Sequence, residues 1–174
     1  MSKRIVKVNR APVLTLWAAI VAERLGFDAE AALTLGKAVA GYTAQAKGRW
    51  LGIYEEKDKD ESELPSSQPE VVFVSLMGRS LPARQTPAGL RTVEKGRPAD
   101  PERVRRYLKG KFGERLDDVT SAMRALAASV PADRLDTEAY SLYERFRPKV
   151  EKGKQGWGAE GVLDLQVIER LRKK

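Results

Sequence analysis

Residues 12–40 read PVLTLWAAIVAERLGFDAEAALTLGKAVA. Two apolar stretches at helical spacing flank Gly26-Phe27-Asp28. In the first, from Pro12 to Leu25, an apolar stripe carries Val13, Leu14, Trp17, Ile20, Val21 and Leu25. Pro12 suits a first helical position and Gly26 the position just past a helix end. Asp28 predicts the N-cap of a second helix running to about Lys47. That helix has a small residue at every fourth place: Ala32, Gly36, Ala40, Ala44 and Gly48. Such a ridge lets another helix approach closely, so the pair predicts a packed helical hairpin.

Upstream, Lys3, Arg4, Lys7 and Arg10 precede the apolar run and imitate the charge pattern of a secretory leader. Glu23-Arg24 continue the helix where a cleavage site would need small residues, which favours a cytoplasmic protein. No apolar run reaches the ~18 residues of a membrane span. Arg4 to Val8 alternates in the manner of an edge strand.

Downstream, Trp50–Tyr54 and Val71–Leu76 read as two strands. Between them, Glu55–Glu70 holds seven acidic and two basic residues and predicts a solvated loop at the tip of a hairpin. From Gly78 to Gly96, Pro82, Pro87 and Gly89 interrupt any periodicity, so the expectation there is irregular chain. Asp100-Pro101 opens a third helix, with Val104, Tyr107, Leu108 and Lys111 on one side and Gly110 and Gly113 ending it. Leu116–Val130 and Leu135–Phe146 carry two more helical patterns, and a last one lies around Leu165–Leu171. The expected class is α+β, mainly α, with five to six helices and a small antiparallel hairpin or sheet. All 174 residues fit one domain on length.

Cysteine and histidine are both absent. That removes disulfides, Cys/His zinc sites, thiolate nucleophiles and imidazole bases. Asp117-Asp118 and Glu160 with Asp164 offer carboxylates, and Ser80, Ser121 and Ser141 offer hydroxyls, in no catalytic pattern. The glycine-rich Lys152–Gly161 matches neither phosphate-loop motif. No catalytic residue, metal ligand or cofactor is assigned, while a magnesium site through carboxylates, and with it an enzyme as third reading, stays open.

A helix–turn–helix is the natural test of residues 12–40. Ala22, Gly26, Phe27 and Leu35 fall at its small, turn and buried positions. The face that would enter the groove presents Asp28, Ala29, Glu30, Leu33, Thr34 and Lys37, where base reading needs Arg, Lys, Asn or Gln. An acidic hairpin in place of a wing would also be repelled by phosphates. The pair therefore reads as a packing hairpin.

The basic stretch is the stronger signal. Net charge is +8, and Gly78–Lys111 holds ten Lys/Arg against three acids. Arg105, Arg106 and Lys109 lie opposite Val104 and Leu108 on a helix and so face water together. With Arg79, Arg84, Arg91 and Arg97 they form the candidate nucleic-acid-binding set, laying cations along a phosphate backbone with little base reading. The alternative is an interaction or scaffold module that docks on an acidic protein or self-associates. No membrane partner is expected.

Asn9–Ala19, Ala31–Gly41, Gln85–Arg91 and Phe146-Arg147-Pro148 with Gly156-Trp157-Gly158 resemble a family of uncharacterised bacterial cytosolic proteins of similar length. The resemblance runs from end to end. It implies a bacterial, self-contained domain and brings no activity or site residues.

Overall fold

The computed structural model describes residues 5–50, 71–94, 97–149 and 161–171. Six α-helices and two small antiparallel sheets occupy them, so the class is α+β and mainly α. The helices are α1 Arg10–Arg24, α2 Ala29–Trp50, α3 Pro101–Phe112, α4 Leu116–Ala128, α5 Ala132–Phe146 and α6 Leu165–Leu171. The strands are β1 Ile5–Val8, β2 Val72–Leu76, β3 Arg79–Thr86, β4 Gly89–Glu94, β5 Arg97–Pro98 and β6 Gly161–Asp164.

Helix α1 is the core. Every residue from Pro12 to Ala22 is buried, so the expected one-sided stripe is corrected to a helix covered all round. An apolar helix with that profile belongs inside a domain, and α2, α3, α4 and α5 all pack on it. Trp17 supplies the anchor. Its indole N–H donates to the Ala139 carbonyl at 2.9 Å, and its ring meets Phe146 edge-on at 5.3 Å. Asp28 caps α2 as the sequence predicts, accepting from the Ala31 N–H at 2.7 Å.

The small-residue column is the α1–α2 seam. A Cβ placed on Gly36 would lie 2.4 Å from the Thr15 carbonyl oxygen and 2.8 Å from the Ala19 nitrogen. Both obstacles are backbone, so neither can swing aside. Ala32 and Ala40 are buried on the same ridge, while the side chains of Ala44 and Gly48 lie outside the described residues.

Two sequence expectations are corrected. Trp50, expected to open a strand, is the last residue of α2, and residues 51–70, including the acidic loop, lie outside the described residues. The partner of Val72–Leu76 is instead Arg79–Thr86, across the two-residue turn Met77-Gly78. Both turn residues have positive φ, the pairing that matches the twist of a tight hairpin. The Met77 N–H donates to Asp136 Oδ1 at 2.6 Å, which ties the turn to α5.

The second correction concerns 79–94, which are strands and not irregular chain. Pro82 sits opposite Phe73 in the β2–β3 ladder, and the β3–β4 ladder runs from Thr86↔Gly89 to Ala83↔Thr92. Bonded and non-bonded pairs alternate along an antiparallel ladder. Counted from the turn, the next bonded pair would require an N–H from Pro82. The ladder stops one residue earlier, so a proline that looked disruptive merely marks its end.

Helix α3 keeps its predicted cap, with the Glu102 N–H donating to Asp100 Oδ1 at 3.0 Å and Pro101 in the first turn. Gly110 lies inside this helix and Gly113 ends it. Strands β1 and β6 pair Val6 with Leu163 and Val8 with Gly161, setting Val6, Val8 and Leu163 into the core. Most of the glycine-rich stretch, residues 152–160, lies outside the described residues.

The seam yields a paired prediction. Gly36→Ala should lose ~1–3 kcal/mol by overpacking. Gly110→Ala, where a Cβ meets nothing within 4 Å, should gain ~0.5–1 kcal/mol by removing chain entropy from a helix interior. Urea denaturation of the two variants checks both signs.

Candidate nucleic-acid interface

The seven arginines and lysines singled out in the sequence separate into two groups. Arg84 and Arg91 face each other across β3 and β4 and are only 7% and 5% exposed. Arg91 is held at several points. It donates to Glu30 Oε1 at 3.0 Å and to the carbonyls of Leu90 and Ala88 at 2.8 and 3.2 Å. Both of these expected contact residues are therefore largely internal. Like charges directly opposite in a sheet are unfavourable unless compensated, and Glu30 supplies one compensating charge. Arg79 is half-buried, its guanidinium 5.1 Å from the centre of the Tyr140 ring.

The other group points outward. Arg97, Arg106 and Lys109 are exposed, as are Arg103 and Lys111. Arg105 is half-buried and ion-paired with Glu102 one turn back. Helix α3 presents these cations because Val104, Leu108 and Phe112 anchor its opposite side in the core. Lys111, expected beside Val104 and Leu108, is exposed.

The would-be recognition surface of α2 is partly occupied. Thr34 is fully buried, with its hydroxyl receiving the Thr92 N–H at 3.3 Å and its carbonyl receiving the Thr92 hydroxyl at 3.1 Å. Glu30 is engaged by Arg91. Strand β4 therefore packs over the Thr34 part of that face, while Asp28, Ala29 and Glu30 stay exposed.

Beside the α3 cations lies a cleft of about 700 Å³ lined by Lys37, Arg97, Asp100, Arg103 and Tyr107, with Pro98, Ala99 and Val104 completing its wall. Lys37 Nζ sits 5.3 Å from the centre of the Tyr107 ring. Burial pushes the Tyr107 hydroxyl pKa above its usual value, so it stays protonated at neutral pH. Sequence reasoning did not assemble this cleft. Lys37 is remote in sequence from Arg97 and Arg103, and Tyr107 has the spacing of an ordinary core residue. No local pattern links them.

The other candidate chemistry has structural work. Asp118 pairs with Arg115 at 3.2 Å in the first turn of α4, and Asp164 accepts the Gln166 N–H at 2.9 Å. Ser80, Ser121 and Ser141 are exposed and dispersed over β3, α4 and α5. Among the described residues no group of three or more metal-ligating side chains converges, and no helix is long and apolar enough to cross a membrane. No protein-family model, curated protein or solved structure matches the chain.

The division of the arginines is testable. Arg91→Ala should lower stability by ~1–3 kcal/mol, because it strips charged donors from two carbonyls and Glu30. Arg106→Ala should stay within ~0.5 kcal/mol, as exposed substitutions do. Thermal unfolding of the two variants reads the contrast.

Proposed function

We propose that the protein is a non-catalytic nucleic-acid-binding protein that contacts mainly the phosphate backbone. One observation carries the reading: α3 holds Arg103, Arg106 and Lys109 exposed together on a helix whose far side is locked into the core. A rigid cationic helix face neutralises successive phosphates and releases their counterions. Arg97 extends the same charge from β5, and Arg105 contributes less because Glu102 already holds it. On α2, Asp28 and Glu30 are acidic and Thr34 is buried under β4, so binding is expected to vary little with sequence.

A second reading rests on a different surface. Phe73 and Val72 are 68% and 45% exposed on β2, which is an edge strand among the described residues. Apolar exposure of this kind favours a protein partner, and an acidic one would suit the chain's net charge of +8.

The salt dependence of duplex binding separates the two. At about 0.9 per phosphate contact, three contacts add roughly 2.7 to the log–log slope. The triple variant Arg105→Ala, Arg106→Ala, Lys109→Ala removes two full contacts and the weaker one of Arg105, so it should flatten the slope by about 2 and weaken unrelated duplexes alike. Fluorescence anisotropy over a salt series measures both quantities. A wild-type protein that ignores duplexes even at ~50 mM salt, where electrostatic binding is near its strongest, leaves the protein-partner reading in possession.

A further inference from the structure

The cleft beside α3 is distinct in kind from the exposed helix face. A duplex backbone runs along a surface and cannot fold into a recess, whereas a chain end or a free small molecule can. Three elements deliver one cation each to the recess: Lys37 from α2, Arg97 from β5 and Arg103 from α3. Among the described residues none of the three forms an ion pair. Asp100 is the one carboxylate of the wall, and its Oδ1 is occupied by the Glu102 N–H. Because Asp100 already caps α3, the charge on offer comes from side chains and not from the helix terminus.

The balance of three cations and one carboxylate leaves two positive charges. A phosphomonoester carries about −1.5 to −2 at neutral pH, which matches that surplus. A volume of about 700 Å³ falls in the range of small-ligand sites and exceeds what a bare phosphate fills. The remaining wall suits a flat, weakly polar body: Pro98, Ala99, Val104 and the ring of Tyr107. Lys37 is positioned by that ring, so ordering it on a ligand sacrifices less rotamer freedom than a freely moving lysine would.

We propose that this cleft binds a phosphomonoester borne on a mononucleotide-sized body, either a free nucleotide or the phosphorylated 5′ end of a nucleic-acid strand. The site does not require the duplex-backbone reading: it shares Arg97 and Arg103 with that cationic face, but Lys37 belongs to the cleft alone, and the triple variant above leaves all three intact.

Calorimetry with 5′-AMP and with adenosine tests the phosphate requirement on the full chain. AMP should bind, and adenosine should bind roughly tenfold or more weakly, as loss of a charged hydrogen-bonding group implies. Lys37→Gln and Arg103→Gln keep the first two methylenes and a polar end at non-buried positions, so they should fold normally, and each should weaken AMP by roughly tenfold. Arg106→Ala should leave AMP binding unchanged. Anisotropy with single strands bearing a 5′-phosphate or a 5′-hydroxyl identifies the source. A preference for the phosphorylated strand that Arg103→Gln abolishes assigns the site to strand ends; AMP binding without that preference assigns it to free nucleotides. The proposal is overturned if AMP binds no better than adenosine and the 5′-phosphate makes no difference, or if AMP binding survives both glutamine variants. Duplex binding followed in parallel keeps the two ideas apart, since loss of either leaves the other measurable.

Discussion

The approach of α2 to α1 at Gly36 constrains everything around it. With the Thr15 carbonyl and the Ala19 amide lying where a side chain would begin, the two helices touch backbone to backbone over one turn. That contact lets α1 be covered on the α2 side without a layer of large side chains. Its other sides then take α3, α4 and α5, with Trp17 filling the space toward α5. A bulkier ridge on α2 would push α1 out of register with all of them, because packed interiors transmit displacement instead of absorbing it.

The same helix carries the order of the fold into the basic region. Thr34 and Glu30 on α2 hold β4 through Thr92 and Arg91. One and two turns along from these anchors stands Lys37, which faces α3 across the cleft. Buried Arg91 thus has an indirect role. It fixes the sheet against α2 through Glu30, and β5 follows β4 closely enough to bring Arg97 beside Arg103. Cations adjacent in sequence do different work according to whether their strand face meets α2 or water.

The legible parts of the fold were those governed by local rules. Asp28 and Asp100 cap the helices they were expected to cap, and the every-fourth column of small residues marks a true seam. Where a long-range partner decided the outcome, sequence reasoning failed for identifiable reasons. Pro82 and Gly89 look like breakers, yet one sits where the ladder ends and the other beside a turn. Trp50 has strand character and is held in a helix by what precedes it. At the site, the α3 cations were visible from helical spacing. Arg84 and Arg91 were indistinguishable from them until Glu30 and the strand register came into view. The cleft was invisible because its walls meet only after α2, β5 and α3 pack.

The pairing of β1 with β6 has a consequence for how the chain is made. Val6 and Val8 lie on the strand that leads directly into α1, and their sheet partner is Gly161–Asp164. On the ribosome β1 therefore emerges well before the strand that completes it. Helix α1 can gather α2 as soon as the hairpin is out, but β1 must wait for all of the intervening chain with its valines uncovered. Closing so long a loop adds only slowly to the entropic penalty, so the delay is a matter of timing more than of stability. During that interval the exposed strand and the apolar helix behind it are what a chaperone would meet, and the emergence of β6 supplies the strand that covers them.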